Sequence, residues 1–164
     1  MGRWQPPSPA SSPYITPEGY RRLEAEFNRF RERRNEVTRA LAAAAAEGDR
    51  SENAEYIYRK KELREIDRRI RYLQKRLPEL NIVNEVGDMN RIFFGAYVTV
   101  ESMSGELSTF RIVGADEIAH EEAYISIDSP MGKALLGKSA DDEITVEGKA
   151  GEIRYIITTV KYDR

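Results

Sequence analysis

From Tyr20 to Leu80, apolar residues recur at alternating intervals of three and four, the a/d rhythm of a coiled coil. The rhythm occurs twice and is mirrored about Arg50. Ala44 answers Tyr56, Val37 answers Leu63, Phe30 answers Ile70, Phe27 answers Leu73, Leu23 answers Leu77 and Tyr20 answers Leu80. One turn with two matched seams predicts an antiparallel helical hairpin, with Gly48-Asp49-Arg50-Ser51-Glu52-Asn53-Ala54-Glu55-Tyr56 at its tip. Two layers break the apolar rule, Arg34 opposite Ile66 and Leu41 opposite Arg59. Long basic side chains can lay their stems along such a seam, and polar layers fix register.

Local signals frame both arms. Thr16-Pro17-Glu18 is a helix start: a hydroxyl cap, proline at the first helical position and a carboxylate near the positive end. Gly19 is a poor helix former but falls in the first turn, where it costs less. The run Ala42 to Ala46 keeps the first arm helical and thin up to Gly48, the expected stop. The second helix is expected from about Asp49–Ser51 to Leu77, before Pro78. An arm of about 30 residues reaches roughly 45 Å, so its tip is the natural working end.

Beyond a linker at 81–90 the period changes to that of strands: Phe93 to Glu101, Leu107 to Val113, Ala123 to Asp128, Glu143 to Glu147 and Glu152 to Tyr162. Tyr97, Thr99 and Glu101 alternate with Val98 and Val100, as one-sided burial demands. Between strands, Ser129 to Gly137 reads as a short helix capped by Ser129, with Pro130 first. The expected class is α+β: a tail at 1–13, a hairpin domain at 14–80, the linker, and a small antiparallel sheet domain with one short helix at 91–164.

Composition narrows the chemistry. A third of the residues are charged, yet the formal net charge is −2, so the total names no partner. No cysteine is present, which excludes thiol catalysis, disulfides and zinc-thiolate sites and suits a cytoplasmic protein. No apolar run approaches the roughly 18 residues of a membrane span. The tail is rich in Pro and Ser and lacks the apolar segment of a secretory signal, so it is expected to be disordered. His120 is the single histidine, and alone it anchors neither a catalytic triad nor a zinc site.

Three clusters carry candidate chemistry. Asp49 and Glu52 sit at the tip. They suit a helix start, as acidic cap and third-position carboxylate. Spacing favours that capping role, whereas their position at the far end of a long lever suits a hard divalent cation such as Mg2+, provided a partner completes the ligand set. Arg59, Lys60 and Lys61 give the second helix a basic excess near the tip, which fits either a phosphate backbone or ordinary solvated surface. Gly132-Lys133-Ala134-Leu135-Leu136-Gly137-Lys138-Ser139 matches the P-loop pattern, but its helix precedes Gly137 and acids follow Ser139. Nucleotide binding is therefore not expected there.

These stretches resemble the bacterial Gre transcript-cleavage factors, GreB-like rather than GreA-like. The tip nonapeptide and Leu63-Arg64-Glu65-Ile66-Asp67-Arg68-Arg69-Ile70-Arg71-Tyr72-Leu73 carry the likeness in the first half. Phe93 to Val98, Phe110 to Gly114 and Tyr124 to Met131 carry it in the second. The resemblance implies an N-terminal coiled-coil hairpin and a C-terminal FKBP-like sheet domain. It implies a monomeric accessory factor, not an enzyme by itself, that docks on RNA polymerase at the secondary-channel rim and stimulates cleavage of backtracked nascent RNA. Asp49 and Glu52 would share Mg2+ with the polymerase only in the complex. Ser51, Asn53 and Tyr56 would shape the tip, Arg59, Lys60 and Lys61 would contact the RNA 3′ segment, and Asp128, Ser129, Pro130 and Met131 would dock on polymerase. An inhibitory paralogue that blocks the same channel is the alternative. Asp141 stands where the family commonly has glycine.

Overall fold

The computed structural model describes residues 4–6, 11–48 and 53–163. The chain forms two compact units, Tyr20–Leu80 and Met1–Gly19 with Asn81–Arg164. The six residues Tyr14 to Gly19, read from the sequence with the hairpin, cluster with the sheet.

In the first unit two helices carry the seam, α1 (Pro17–Ala45, whose first turn belongs to the other unit) and α2 (Ala54–Arg76). Leu23, Val37, Ala44, Ile66, Leu73 and Leu80 are buried. The seam partners Phe27, Phe30, Tyr56, Leu63, Ile70 and Leu77 are half-buried, because two helices can cover only one stripe of each other. Charged pairs flank the stripe. Glu26 receives Arg69 at 2.6 Å, Arg33 reaches Glu62 at 2.7 Å, and Arg34 reaches Asp67 at 2.6 Å. The polar layer at Arg34 is thus answered by Asp67, one residue beyond its expected neighbour Ile66. Part-exposed pairs of this kind contribute about 0.2–1 kcal/mol each, so their main effect is to fix register while the apolar stripe supplies the stability.

The second unit is built on a five-stranded sheet of order β5-β4-β3-β7-β6. Its strands are β3 (Tyr97–Ser102), β4 (Leu107–Val113), β5 (Tyr124–Ser126), β6 (Glu143–Gly148) and β7 (Gly151–Lys161). The alternation in β3 holds, with Val98 and Val100 fully buried. They join Ile92, Ala96, Ile112, Leu135, Ile144 and Ile157 in one core, covered by the short helix α3 (Pro130–Leu135).

Two features differ from the expected antiparallel sheet. First, β5 runs parallel to β4, because the intervening segment crosses over through a 3-10 turn at Ala115–Glu117 instead of closing a hairpin. Arg111 pins this pair: it donates to Tyr124 Oη at 3.2 Å and lies 4.9 Å from the Tyr97 ring centre. Second, a parallel two-stranded ladder joins β1 (Tyr14–Ile15) to β2 (Asn81–Ile82). The supposed linker therefore begins as a strand.

The start of α1 is held by a buried carboxylate. Thr16 Oγ1 accepts from Gly19 N–H at 3.0 Å as helix cap, and it donates to Glu117. Glu117 also accepts from the Thr16 and Gly114 amides at 3.1 and 2.9 Å. This explains Gly19, since a Cβ there would lie 2.1 Å from Glu117 Oε1.

The P-loop look-alike is no nucleotide cradle: α3 ends before Gly137, and Ser139 N–H donates to Asp142 Oδ2. Ser139 to Asp142 form a tight turn closed by Asp142 N–H on the Ser139 carbonyl at 3.1 Å. Asp141 occupies its third position at φ 74°, the left-handed geometry that favours glycine. Asp141→Gly is expected to raise the thermal midpoint of the sheet unit by about 2–4 °C. Calorimetry checks this, and a lower midpoint would show that the aspartate side chain contributes more than its backbone strain costs.

Candidate functional site

At the hairpin end, α1 finishes in the alanine run and Gly48 takes a positive φ of 136°. The second arm does not begin at Asp49. Its cap is Asn53, whose Oδ1 accepts from Tyr56 N–H at 3.1 Å. The other end of the same amide, Nδ2, donates to the Ala44 carbonyl on the first arm at 2.8 Å. One side chain therefore caps α2 and clasps the two arms. The second helix thus starts later than the Asp49–Ser51 expected from the sequence. Asp49, Ser51 and Glu52 themselves lie outside the described residues.

One turn into α2, the three expected basic residues separate. Arg59 Nε meets Glu55 at 2.8 Å and its Nη1 meets Glu62 at 3.1 Å. Glu62 also receives Arg33 across the seam. The Glu55 hydrogen bond, outweighing desolvation and aided by Glu62, holds the Arg59 guanidinium above its ordinary pKa. Arg59 is thus part of a two-arm ion-pair network, a role that spacing along one helix does not disclose. Lys60 lies 5.8 Å from the Tyr56 ring centre, and Lys61 is exposed. Ile57 and Tyr58 are also exposed, at 53% and 60%.

In the sheet unit, Asp128, Ser129, Pro130 and Met131 form the corner between β5 and α3. Ser129 is fully engaged: its Oγ accepts from Gly132 N–H at 3.0 Å and donates to the Ser126 carbonyl at 2.6 Å. Met131 packs against the sheet core. These two build the corner, where Pro130 is exposed and Asp128 half-buried. Asp128 accepts two hydrogen bonds from Ser12, a residue for which the Pro- and Ser-rich composition gave no functional signal.

Two sequence signatures match the chain. One described as transcription elongation factor, N-terminal, covers residues 13–82. One described as transcription elongation factor, GreA/GreB, C-term, covers residues 87–162. The chain belongs to the GreA/GreB transcription elongation factor family.

Among curated GreA/GreB relatives, "Transcription elongation factor GreB" of Xanthomonas axonopodis pv. citri is 55% identical, over 99% of this chain and 98% of that protein. The GreB of Pseudomonas aeruginosa is 51% identical over the same shares. Among solved structures, the GreA factor homolog 1 (Gfh1) protein of Thermus thermophilus is 30% identical, covering 90% of this chain and 97% of that one. Its TM-score of 0.42 is too low for a comparison of geometry.

For a GreA/GreB protein, the engaged state of Arg59 separates the basic residues into two kinds. Were Lys60 and Lys61 to contact RNA, replacing both by Ala would lower the salt slope of RNA binding by up to about 2. Binding titrations across a salt series check this, and an unchanged slope removes both lysines from RNA contact. Among the described residues no His, Asp or Glu cluster could hold a metal by itself, and no helix is long and apolar enough to cross a membrane.

Proposed function

We propose that this chain is a GreB-type cleavage-stimulating factor that docks on RNA polymerase and extends its hairpin tip into the secondary channel. There it activates the polymerase's own endonucleolytic cleavage of backtracked RNA. The observation that carries the reading is the Asn53 clasp. The two arms are hydrogen-bonded to one another by residues that flank the segment bearing Asp49 and Glu52, which supports a hairpin held together at its working end.

Two carboxylates are hard oxygen donors of the kind Mg2+ takes, but too few to bind it tightly. Asp49 and Glu52 would hold the ion jointly with the polymerase, and the bound ion would lower the pKa of its water and stabilise charge at the scissile phosphate. The protein's own part is positional. The clasp and the cross-arm ion pairs resist splaying, the lysines attract the RNA 3′ segment, and the Asp128–Pro130 corner engages polymerase. Close identity to GreB proteins along nearly the whole chain supports the reading, and a cytoplasmic location follows from it.

The test is addition of the protein to a stalled, backtracked elongation complex. Shortened RNA that resumes synthesis is the expected result. Suppression of the intrinsic cleavage would instead make it an inhibitor of the same channel.

A further inference from the structure

The Asp128 carboxylate carries a donor on each oxygen. Ser12 N–H donates to Oδ2 at 2.8 Å, and the Ser12 hydroxyl donates to Oδ1 at 2.5 Å. Two donors, one per oxygen, is the arrangement an arginine fork makes with a carboxylate. Ser12 reaches this place because the chain just after it is anchored. The Pro13 carbonyl accepts from Asn81 N–H at 2.7 Å, and β1 pairs with β2. The Tyr14 ring packs 6.1 Å from that of Phe94. The Tyr14 carbonyl passes so close to Gly114 that a Cβ there would lie 1.9 Å away. The strap is thus laid across the sheet unit and delivers Ser12 to the corner beside Pro130.

We infer that Ser12 is a stand-in for a partner's donor pair: it occupies Asp128 in the free protein and yields it to an arginine side chain of the polymerase on docking. The inference rests on the Asp128–Pro130 corner being the docking surface proposed above. An ionised carboxylate is an acceptor only, so both its attraction for a guanidinium and its present attachment to Ser12 draw on the same lone pairs. Docking must break two charge-assisted hydrogen bonds, an expense partly recovered when the Ser12 donors return to water. The strap therefore tunes affinity downward, and it does so without touching the hairpin tip.

Full-length variants measured for binding to core RNA polymerase test this. Ser12→Ala removes the hydroxyl, and Ser12→Pro removes both donors. The expected results are binding about threefold tighter for Ser12→Ala and roughly tenfold tighter for Ser12→Pro, with thermal midpoints lowered by about 2–5 °C because the same bonds are lost from the free protein. Asp128→Asn should weaken binding, and in that background Ser12→Ala should have little further effect. Amide exchange at Ser12 should quicken when polymerase is added. If Asp128→Asn binds like the parent, the docking assignment itself falls. If Asp128→Asn weakens binding but neither Ser12 variant tightens it, docking at Asp128 stands and the stand-in role is overturned. Continued protection of the Ser12 amide in the complex would overturn it as well.

Discussion

Replacing Asp49 by Ala, or Glu52 by Ala, abolishes stimulated RNA cleavage while polymerase binding stays within about twofold of the parent. The first half of this expectation follows from charge. A carboxylate that helps hold an ion neutralising a developing phosphoryl transition state is worth on the order of 100-fold or more in rate, and the third acid of the tip, Glu55, is taken up by Arg59. The second half follows from location. The residues proposed to dock, Asp128 and Pro130, belong to the sheet unit, and Asp49 and Glu52 belong to the hairpin. Substitutions remote from a binding surface change binding free energies by less than about 0.5 kcal/mol. Because Asn53, and neither acid, caps α2, neither substitution removes a helix cap. A loss of activity therefore reports chemistry and not unfolding. The measurement is the shortening of labelled RNA in a stalled complex, beside a binding titration. Normal cleavage by either variant would remove the acids from the mechanism.

Asn53→Ala is expected to lower cleavage roughly tenfold or more with polymerase binding intact. It removes two hydrogen bonds at once, the cap on Tyr56 N–H and the clasp on the Ala44 carbonyl. Loss of such a cap costs about 1 kcal/mol and of the clasp about as much again. That is small against the stability of the whole chain but concentrated on the last turn of each arm. The segment that bears the acids is then flanked by arms no longer joined through Asn53, and a displacement of about 1 Å at a reacting centre can cost 100-fold. Asn53→Asp separates the two contributions, because it keeps an acceptor for Tyr56 and loses the donor to Ala44. Its cleavage rate should fall between those of parent and Asn53→Ala. Circular dichroism melts of the variants show whether the hairpin frays, and an Asn53→Ala protein that cleaves at the parental rate would show that the clasp is dispensable.

The hairpin was readable because its information is local and periodic. Leu23, Val37, Ala44, Ile66 and Leu73 are buried where the mirrored spacing put them, and the strand alternation at Val98 and Val100 behaved likewise. The cap of α2 was not readable in the same way. Asp49, Ser51 and Asn53 are all good caps, and the choice among them depends on which one also reaches the Ala44 carbonyl across the seam. The ion pairs of Arg59 were hidden for a related reason: a basic run along one helix looks uniform until Glu62 and Arg33 close a network around one member.

What the sequence alone determined was the two-arm lever, the change to a sheet after the linker, the family, and which acids and bases cluster near the tip. Periodicity and short-range motifs carry all of these. Only the tertiary structure decided that Glu117 holds the start of α1 and requires Gly19, that β5 lies parallel to β4, that Asp141 sits in a left-handed turn, and that Ser12 covers Asp128. Each of these joins groups far apart in the chain or depends on one backbone angle, and hydrogen bonds between such groups leave no periodic trace in the order of residues.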